Sequence, residues 1–432
     1  MRERHKKRGR RIAAGGVPID PAVWRGTTLP RMSRRDLLRY TGIGAGAAGA
    51  AGILAACGVS GSPAPTGTSS GAKLPNAGLG TKEWWSKQKL HHEFSFANWP
   101  EYIDTSHGTH PSLDLFKRET GITVNYSEAV NDNNAFYAKI QPELKARQYT
   151  GFDLIVTTTN DPPLGFYIES GYLIPLDRSK MTNFNRYADR LVKSPSWDPG
   201  NRYTMAYQSG WTILAYNTKA INRPIDSWLD LWDPAFTGKV GMMSIPSETG
   251  AMALVAMGKN PPTSTPADWR AAAKKLQEQK PLVRGYWDAS YIDQLKNGNT
   301  WISMAWSGDI FQANLNGYTH LKPVMPKEGG LFWTDNMCIP YTAQNPLDAM
   351  TYMDFTYRPD VQAMMDNYIN YVSPVPAAKE IILSKYHSPQ VANSPWVFTS
   401  AEFEKLARFY PQWKEASQVT LWNSIFEPIF QS

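Results

Sequence analysis

Aromatic rings, hydroxyl groups and carboxylates recur where the apolar stretches of this chain end, in a protein with 16 tryptophans and 21 tyrosines. The polar and aromatic side chains at these ends are Trp99, Tyr102, Thr157, Thr158, Thr159, Asn160, Ser247, Glu248, Trp306, Ser307, Asp309, Trp333, Asp335 and Asn336. An ammonium group above an indole face gains about 0.5–2 kcal/mol, and a carboxylate adds a charge-assisted hydrogen bond. The combination indicates a site for an organic cation, with the tryptophans as its walls and Glu248 and Asp335 at its charged ends. Asp309, which follows Trp306 closely, either assists this site or caps the helix that starts there.

The elements that position these residues follow from an alternation of apolar runs with segments of helical period. The apolar runs predict strands near 90–97, 122–126, 152–157, 204–209, 212–216, 239–243, 301–306 and 335–340. The helical segments predict helices near 111–119, 133–147, 164–170, 247–257, 266–279, 289–297, 307–315, 345–357 and 359–369. This alternation favours an α/β fold with a mainly parallel sheet, in which ligands bind beyond the carboxyl ends of the strands.

The formal charge of +7 is distributed unevenly along the chain. Residues 1–56 carry 12 Lys and Arg residues against 3 Asp and Glu residues, whereas the rest of the chain is net acidic. A basic patch on the folded part is the electrostatic requirement for nucleic-acid binding. The charge distribution therefore argues against a nucleic-acid partner.

Residues 1–56 contain the three parts of an export signal in the expected order. The stretch "SRRDLLR" resembles a twin-arginine motif, a Gly- and Ala-rich apolar segment follows, and "LAAC" ends at Cys57. We therefore expect a twin-arginine lipoprotein signal peptide over 1–56 and lipidation of Cys57, which anchors the exported protein at the outer face of the cytoplasmic membrane. Residues 57–89 are expected to be a flexible tether, because residues 58–80 are rich in Gly, Ser, Ala, Pro and Thr. Cys338 is the only other cysteine, so no internal disulfide is expected.

A series of motifs resembles one protein family. The motifs "NWPEYI", "FKRETGITVNYSEA", "FDLIVTTT", "SKMTNF", "SWLDLWDPAFTGKV", "AWSGD" and "PKEGGLFWTDN" are similar to segments of the spermidine- and putrescine-binding proteins of ABC importers. The resemblance implies a two-lobed fold of the periplasmic-binding-protein type II class, with central sheets, flanking helices and a hinge between the lobes. It implies lobe 1 at 90–209 plus 334–379, lobe 2 at 210–333 plus 380–432, and a ligand in the cleft between them. It also implies a monomer without a cofactor that delivers a polyamine to permease and ATPase subunits.

The binding residues of that family match the positions already singled out, with one addition. The matching positions are Trp99, Tyr102, Thr158, Glu248, Trp306, Trp333 and Asp335, and the addition is Tyr371. Three positions depart from the family's pattern. Pro100 stands where a threonine is usual, Asn160 where a tyrosine is usual, and Ile245 where an aspartate is usual. The missing aspartate would have held a cationic nitrogen, so the identity of the amine stays open.

Other functions were weighed against the binding of a polyamine. No P-loop, GxSxG or HExxH motif indicates an enzyme. His91 and His92 are adjacent on a predicted strand and therefore point to opposite faces, which disfavours a shared metal ion. A binding protein for another cationic or polar solute, such as a betaine-like amine or an amino-acid derivative, is the remaining alternative. Carboxylates at both ends of the site favour a diamine or triamine, and a single carboxylate favours a monocation.

Overall fold

The computed structural model describes residues 74–431. The predicted signal peptide over 1–56, the predicted lipidation site Cys57 and the first part of the predicted tether lie outside the described residues. Within residues 74–431, every helix is too short or too polar to traverse a lipid bilayer.

The described strands form one 10-stranded sheet. They are β1 (Glu93–Ala97), β2 (Thr123–Ser127), β3 (Leu154–Thr158), β4 (Thr204–Asn217), β5 (Val240–Met243), β6 (Val283–Trp287), β7 (Ile302–Trp306), β8 (Leu321–Val324), β9 (Gly330–Cys338) and β10 (Ala407–Arg408). Each predicted strand is confirmed, and the segments 204–209 and 212–216 form the single strand β4. The sequence pattern did not predict β6, β8 or β10. The strand β8 contains a proline, and β10 has only two residues, which makes both difficult to recognise from the pattern.

Helices flank the sheet, and each predicted helix is confirmed. The described helices are α1 (Lys82–Ser86), α2 (Pro111–Thr120), α3 (Asn133–Ala146), α4 (Pro163–Glu169), α5 (Thr182–Tyr187), α6 (Pro246–Ala256), α7 (Pro266–Gln279), α8 (Tyr291–Lys296), α9 (Ser307–Leu315), α10 (Pro346–Phe355), α11 (Pro359–Ile369), α12 (Ala378–Ser384), α13 (Pro389–Ala392), α14 (Ala401–Lys405) and α15 (Ala416–Phe430). The helices α1, α5 and α12 to α15 lie outside the predicted set.

Local chemistry explains where several helices begin and end. Gly121 adopts a φ of 73° and ends α2, because glycine tolerates the left-handed conformation that this position requires. Thr265 caps α7 through a reciprocal pair of hydrogen bonds with Asp268. Asp132 caps α3, and its side chain accepts a hydrogen bond from the backbone N–H of Ala135 at 2.7 Å. These ends fix the helices that carry or support the site.

The expectation of a mainly parallel sheet is wrong at the centre of the sheet. The strand order is β2-β1-β3-β9-β4-β7-β5-β6, with β10 paired to β9 and β8 paired to β4. The outer strands pair in parallel, whereas β9 pairs antiparallel with β3 and β4, and β4 pairs antiparallel with β7 and β8. Strands covered on both faces give the same continuous apolar pattern in either direction, so the pattern alone does not determine strand direction.

The two long central strands bring distant parts of the chain together. All residues of β4 and β9 are buried, so both strands are covered on both faces. Gly210 of β4 lies opposite Trp333 of β9, and a Cβ atom on Gly210 would lie 2.2 Å from Cζ2 of the Trp333 ring. Because Gly210 has no side chain, the Trp333 indole can pack directly against the backbone of β4.

The prediction of a flexible tether over 57–89 is wrong for residues 74–89, which pack on the folded part. The Nδ2 atom of Asn76 donates a hydrogen bond to the carbonyl of Leu173 at 2.7 Å. Trp85 on α1 is fully buried, and its Nε1 atom donates to the carbonyl of Pro175 at 2.9 Å. Burial of this ring and its hydrogen bond to Pro175 stabilise the docking of α1 against the entropy that is lost when the segment becomes ordered.

We expect Trp85→Ala to lower the free energy of unfolding by about 3–5 kcal/mol, because it removes a fully buried ring from the core. Trp84→Ala is the matched control, since Trp84 is the neighbouring indole and is only half-buried. Urea unfolding of both variants measures the difference. Equal losses in the two variants would contradict the docking of α1 through Trp85.

Candidate binding site

Asp335 is the buried carboxylate on the central strand β9. Thr158, the last residue of β3, lies opposite Asp335 in the antiparallel pairing of these strands. The hydroxyl of Tyr102, from the loop after β1, donates a hydrogen bond to Oδ2 of Asp335 at 2.7 Å. Burial raises the pKa of Asp335 to about 6, and the hydrogen bond from Tyr102 opposes part of that rise. The carboxylate is therefore desolvated and is held by a neutral donor.

Glu248 is the second predicted carboxylate, and it lies in the first turn of α6 without any exposed surface. Its Oε1 atom accepts hydrogen bonds from Nδ2 of Asn160 at 2.8 Å and from Nε1 of Trp306 at 3.2 Å. Its Oε2 atom accepts a hydrogen bond from the hydroxyl of Tyr410 at 2.6 Å. Burial raises the pKa of Glu248, while the hydrogen bonds from these donors lower it. Glu248 thus fixes the indole of Trp306 through its Oε1 atom.

Asn160 links Glu248 to another predicted residue. The hydroxyl of Thr158 donates a hydrogen bond to Oδ1 of Asn160 at 2.6 Å, while the amide of Asn160 donates to Glu248. Asn160 therefore forms an amide bridge between the end of β3 and α6.

Asp309 joins two tyrosines at the side of the cluster. The hydroxyls of Tyr291 and Tyr371 donate hydrogen bonds to its two oxygens, each at 2.9 Å. The Tyr371 ring lies 5.3 Å from the Trp333 ring and 6.1 Å from the Tyr102 ring, measured between centroids. Asp309 also lies in the first turn of α9, so it combines contacts to these phenols with a position at the start of the helix.

Glycines allow the aromatic rings to approach the backbone. A Cβ atom on Gly308, at the start of α9, would lie 2.6 Å from Cε1 of Tyr371. Together with Gly210 beneath Trp333, this glycine lets two rings of the site lie flat against main chain. Both rings are therefore held close to the backbone.

The structure brings most of the predicted site residues into one hydrogen-bonded and ring-packed cluster. The residues joined in this way are Tyr102, Thr158, Glu248, Trp306, Trp333, Asp335 and Tyr371. Trp99 is half-buried and packs at the edge of two apolar clusters. Within the described part of the chain, the Nε1 atoms of Trp99 and Trp333 are buried and have no hydrogen-bond partner. Both indoles retain a donor that a ligand could use.

Sequence reasoning missed several residues that complete the cluster. Tyr410 lies beyond the segments that resemble the family, and it is 162 residues away from Glu248 in the sequence. Tyr291 lies in a predicted helix, and its hydroxyl also accepts a hydrogen bond from the backbone N–H of Trp306 at 2.8 Å. Asp161 follows Asn160 and accepts a hydrogen bond from the hydroxyl of Ser247 at 3.0 Å. The run of polar residues that follows β3 in the sequence could have indicated that Asp161 belongs to the cluster.

A cavity of about 460 Å³ adjoins this cluster. It is lined by Asp161, Tyr410, Phe409 and Trp413 among other residues, and by none of the predicted site residues. Asp161 and Tyr410 therefore border both the cluster and the cavity. The predicted side chains contact one another, and the open volume lies beside them.

No group of three or more His, Cys, Asp and Glu residues within 74–431 is arranged to hold a metal ion. His91, which was weighed as a metal ligand, lies beside Asn345, with 2.6 Å between its Nδ1 atom and Oδ1 of Asn345. The neighbouring backbone N–H groups of His91 and His92 donate to the carboxylate of Asp348.

Comparisons with known proteins identify the family. A family model described as bacterial extracellular solute-binding protein matches residues 113–399. The spermidine/putrescine-binding periplasmic protein of Escherichia coli K12 is 31% identical over 341 residues, which cover 78% of this chain and 90% of that protein. The chain belongs to the bacterial extracellular solute-binding proteins. The resemblance predicted from the sequence motifs is confirmed.

Two further comparisons extend this result within the extracellular solute-binding proteins. The putrescine/agmatine-binding protein of Pseudomonas aeruginosa PAO1 is 29% identical over 345 residues, which cover 76% of this chain and 88% of that protein. The crystal structure of a spermidine/putrescine ABC transporter substrate-binding protein from Streptococcus pneumoniae has a TM-score of 0.66 at 23% identity, and covers 78% of this chain and 98% of that chain. The predicted α/β fold of the two-lobed type II class is confirmed.

We expect Asp335→Asn to stabilise the ligand-free protein at pH 8. The pKa of Asp335 is about 6 in the folded protein and 3.8 for an ordinary aspartate. The folded state is therefore stabilised by the protonated form of Asp335. This contribution to the free energy of unfolding is complete below about pH 4 and is lost as the pH rises through 6. The charged carboxylate then costs about 3 kcal/mol, a cost that asparagine removes. Urea unfolding at pH 4 and pH 8 measures the gain, which is expected at pH 8 only.

Asp114→Asn is the control for this pH effect, because Asp114 is an exposed aspartate on α2. We expect its stability to follow that of the wild type at both values of pH. A lower stability of Asp335→Asn at pH 8 would contradict the desolvation of this carboxylate.

Proposed function

We propose that this protein captures a linear polyamine, of the spermidine or putrescine type, outside the cytoplasmic membrane and delivers it to an ABC importer. The observation that carries the proposal is the burial of Glu248 and Asp335 beside indole and phenol rings, and neither carboxylate forms an ion pair with a lysine or arginine of residues 74–431. The ligands named for the relatives in Escherichia coli and Pseudomonas aeruginosa support the same ligand class.

The ammonium groups of a polyamine supply the positive charge that the site lacks. A cation beside Asp335 lowers the pKa of that carboxyl toward its ordinary value, since an opposite charge favours the ionised form. The methylene groups of the ligand pack on the rings of Trp333 and Tyr371, and an ammonium group above an indole adds a cation–π attraction. A betaine-like amine or an amino-acid derivative carries a single cationic centre and leaves one of the two carboxylates without a cation.

Closure of two lobes around the ligand is part of the same proposal, with lobe 1 at 90–209 plus 334–379 and lobe 2 at 210–333 plus 380–432. The hydrogen bonds that would join these lobes are Asn160 to Glu248, Ser247 to Asp161 and Tyr371 to Asp309. Such contacts support a closed state in which the ligand is removed from water.

Titration calorimetry on ligand-stripped protein tests the polyamine proposal. We expect heat of binding with spermidine or putrescine and none with a betaine. Asp335→Asn is expected to weaken binding of the polyamine at least tenfold, about 1.4 kcal/mol, because it removes a charge that contacts the ligand. Asp114→Asn serves as the control and is expected to bind as the wild type does. Absence of heat with both polyamines would overturn the proposal, and binding of the betaine alone would favour the alternative solute.

The proposal also covers the attachment and partners of the protein. Residues 1–56 act as a twin-arginine lipoprotein signal, and Cys57 carries the lipid that anchors the mature chain to the membrane. The protein acts as a monomer, by binding and not by catalysis, together with permease and ATPase subunits. The extracellular family and the periplasmic relative support export of the chain.

We expect Cys57→Ser to release the protein from the membrane fraction, because the variant lacks the thiol that receives the lipid. Cys338→Ser is the matched control, since Cys338 is a buried free cysteine and its substitution leaves Cys57 in place. Fractionation of expressing cells, with mass spectrometry of the purified chain, measures the result. Membrane retention of Cys57→Ser equal to that of the control would argue against the anchor.

A further inference from the structure

Asp161 is a carboxylate that the proposed site does not yet use. It lies between β3 and α4, and its Oδ1 atom accepts a hydrogen bond from the hydroxyl of Ser247 at 3.0 Å. Glu248 and Asp335 are among the charges that perturb Asp161, and both raise its pKa further. Burial is the largest cause, and together these effects raise the pKa of Asp161 to about 7.

Asp161 differs from Glu248 in how its charge is satisfied. Glu248 accepts hydrogen bonds from an amide, an indole and a phenol. Within the described residues, the only recorded donor to Asp161 is the hydroxyl of Ser247. That donor is a side chain and not a backbone N–H group, so Asp161 does not act as a cap for α6. The carboxylate of Asp161 retains capacity to accept hydrogen bonds from a ligand.

The cavity of about 460 Å³ opens beside this carboxylate and has aromatic walls. Phe409, Tyr410 and Trp413 line it, and Nε1 of Trp413 is buried without a hydrogen-bond partner. Exposed side chains of Arg202 and Lys414 also line the cavity, and neither is among the recorded ion-pair partners of Asp161 within residues 74–431. Tyr410 connects the cavity to the cluster, since its hydroxyl donates to Glu248.

We propose that Asp161 and the aromatic cavity beside it bind the third ammonium group of a triamine, so that Asp161 determines the preference for a triamine over a diamine. This inference rests on the proposed function of polyamine binding. Glu248 and Asp335 neutralise two ammonium groups of either ligand, and Asp161 is the further carboxylate beside Glu248. The cavity supplies the volume that the additional aminoalkyl arm needs, and its rings cover the methylene groups of that arm.

Calorimetry with spermidine and putrescine on the wild type, Asp161→Asn and Glu169→Gln tests this inference. We expect Asp161→Asn to weaken spermidine binding at least tenfold and putrescine binding less than threefold. Glu169→Gln is the matched control, because Glu169 also lines the cavity but is exposed. We expect it to leave both affinities within twofold of the wild type.

Asp161→Asn is expected to fold, because the asparagine oxygen can still accept the hydrogen bond from Ser247 and a desolvated charge is removed. Thermal melting checks this expectation. Asp161→Glu keeps the charge and is expected to keep the preference for spermidine. Equal effects of Asp161→Asn on the two ligands, or loss of the preference in Asp161→Glu, would overturn the role of Asp161. A wild type that binds neither polyamine would instead overturn the proposed function on which this role rests.

Discussion

The burial of carboxylates that form no ion pair with a lysine or arginine of residues 74–431 is the constraint on which the candidate site of this protein depends. Moving an unpaired charge out of water costs several kcal/mol, and burial accordingly raises the pKa of Asp335 to about 6 and that of Asp161 to about 7. The protein offsets part of this cost with neutral donors. Tyr102 donates to Asp335, Ser247 donates to Asp161, and Asn160 is one of the donors to Glu248. Because these donors carry no charge, they do not neutralise the carboxylates when these are ionised.

The central strands supply the rigidity that such a site requires. Trp333 and Asp335 are two residues apart on β9 and therefore share one face of the strand. The neighbouring strands contribute Thr158 opposite Asp335 and Gly210 opposite Trp333. A carboxylate held at fixed distance from an aromatic ring can distinguish ligands by the spacing of their charges. Burying the charge lowers the stability of the folded protein. Such a trade-off between stability and function is common in preorganised sites.

Predictions from the sequence succeeded where the determining interactions are local. The strand that precedes Trp99, the helix that carries Glu248 and the strand that ends at Trp306 follow from the apolar period and from capping residues, which depend on neighbours a few positions away in the sequence. The predictions failed where a partner lies far along the chain. The direction of β9, the docking of Trp85 and the hydrogen bond from Tyr410 to Glu248 depend on contacts between segments that the pattern cannot pair.

The amino-acid sequence by itself determined the class of the fold, the family and the kinds of side chain that line the site. These properties are encoded in periodicity, in motifs and in residue type, which do not require knowledge of distances. Only the tertiary structure decided how the charges are distributed. It joined Asn160 and Tyr410 to Glu248, placed Asp161 beside Ser247 and opened a cavity next to them. The physical reason is that desolvation and hydrogen bonding act through space, so the properties of a carboxylate depend on neighbours that the sequence does not reveal.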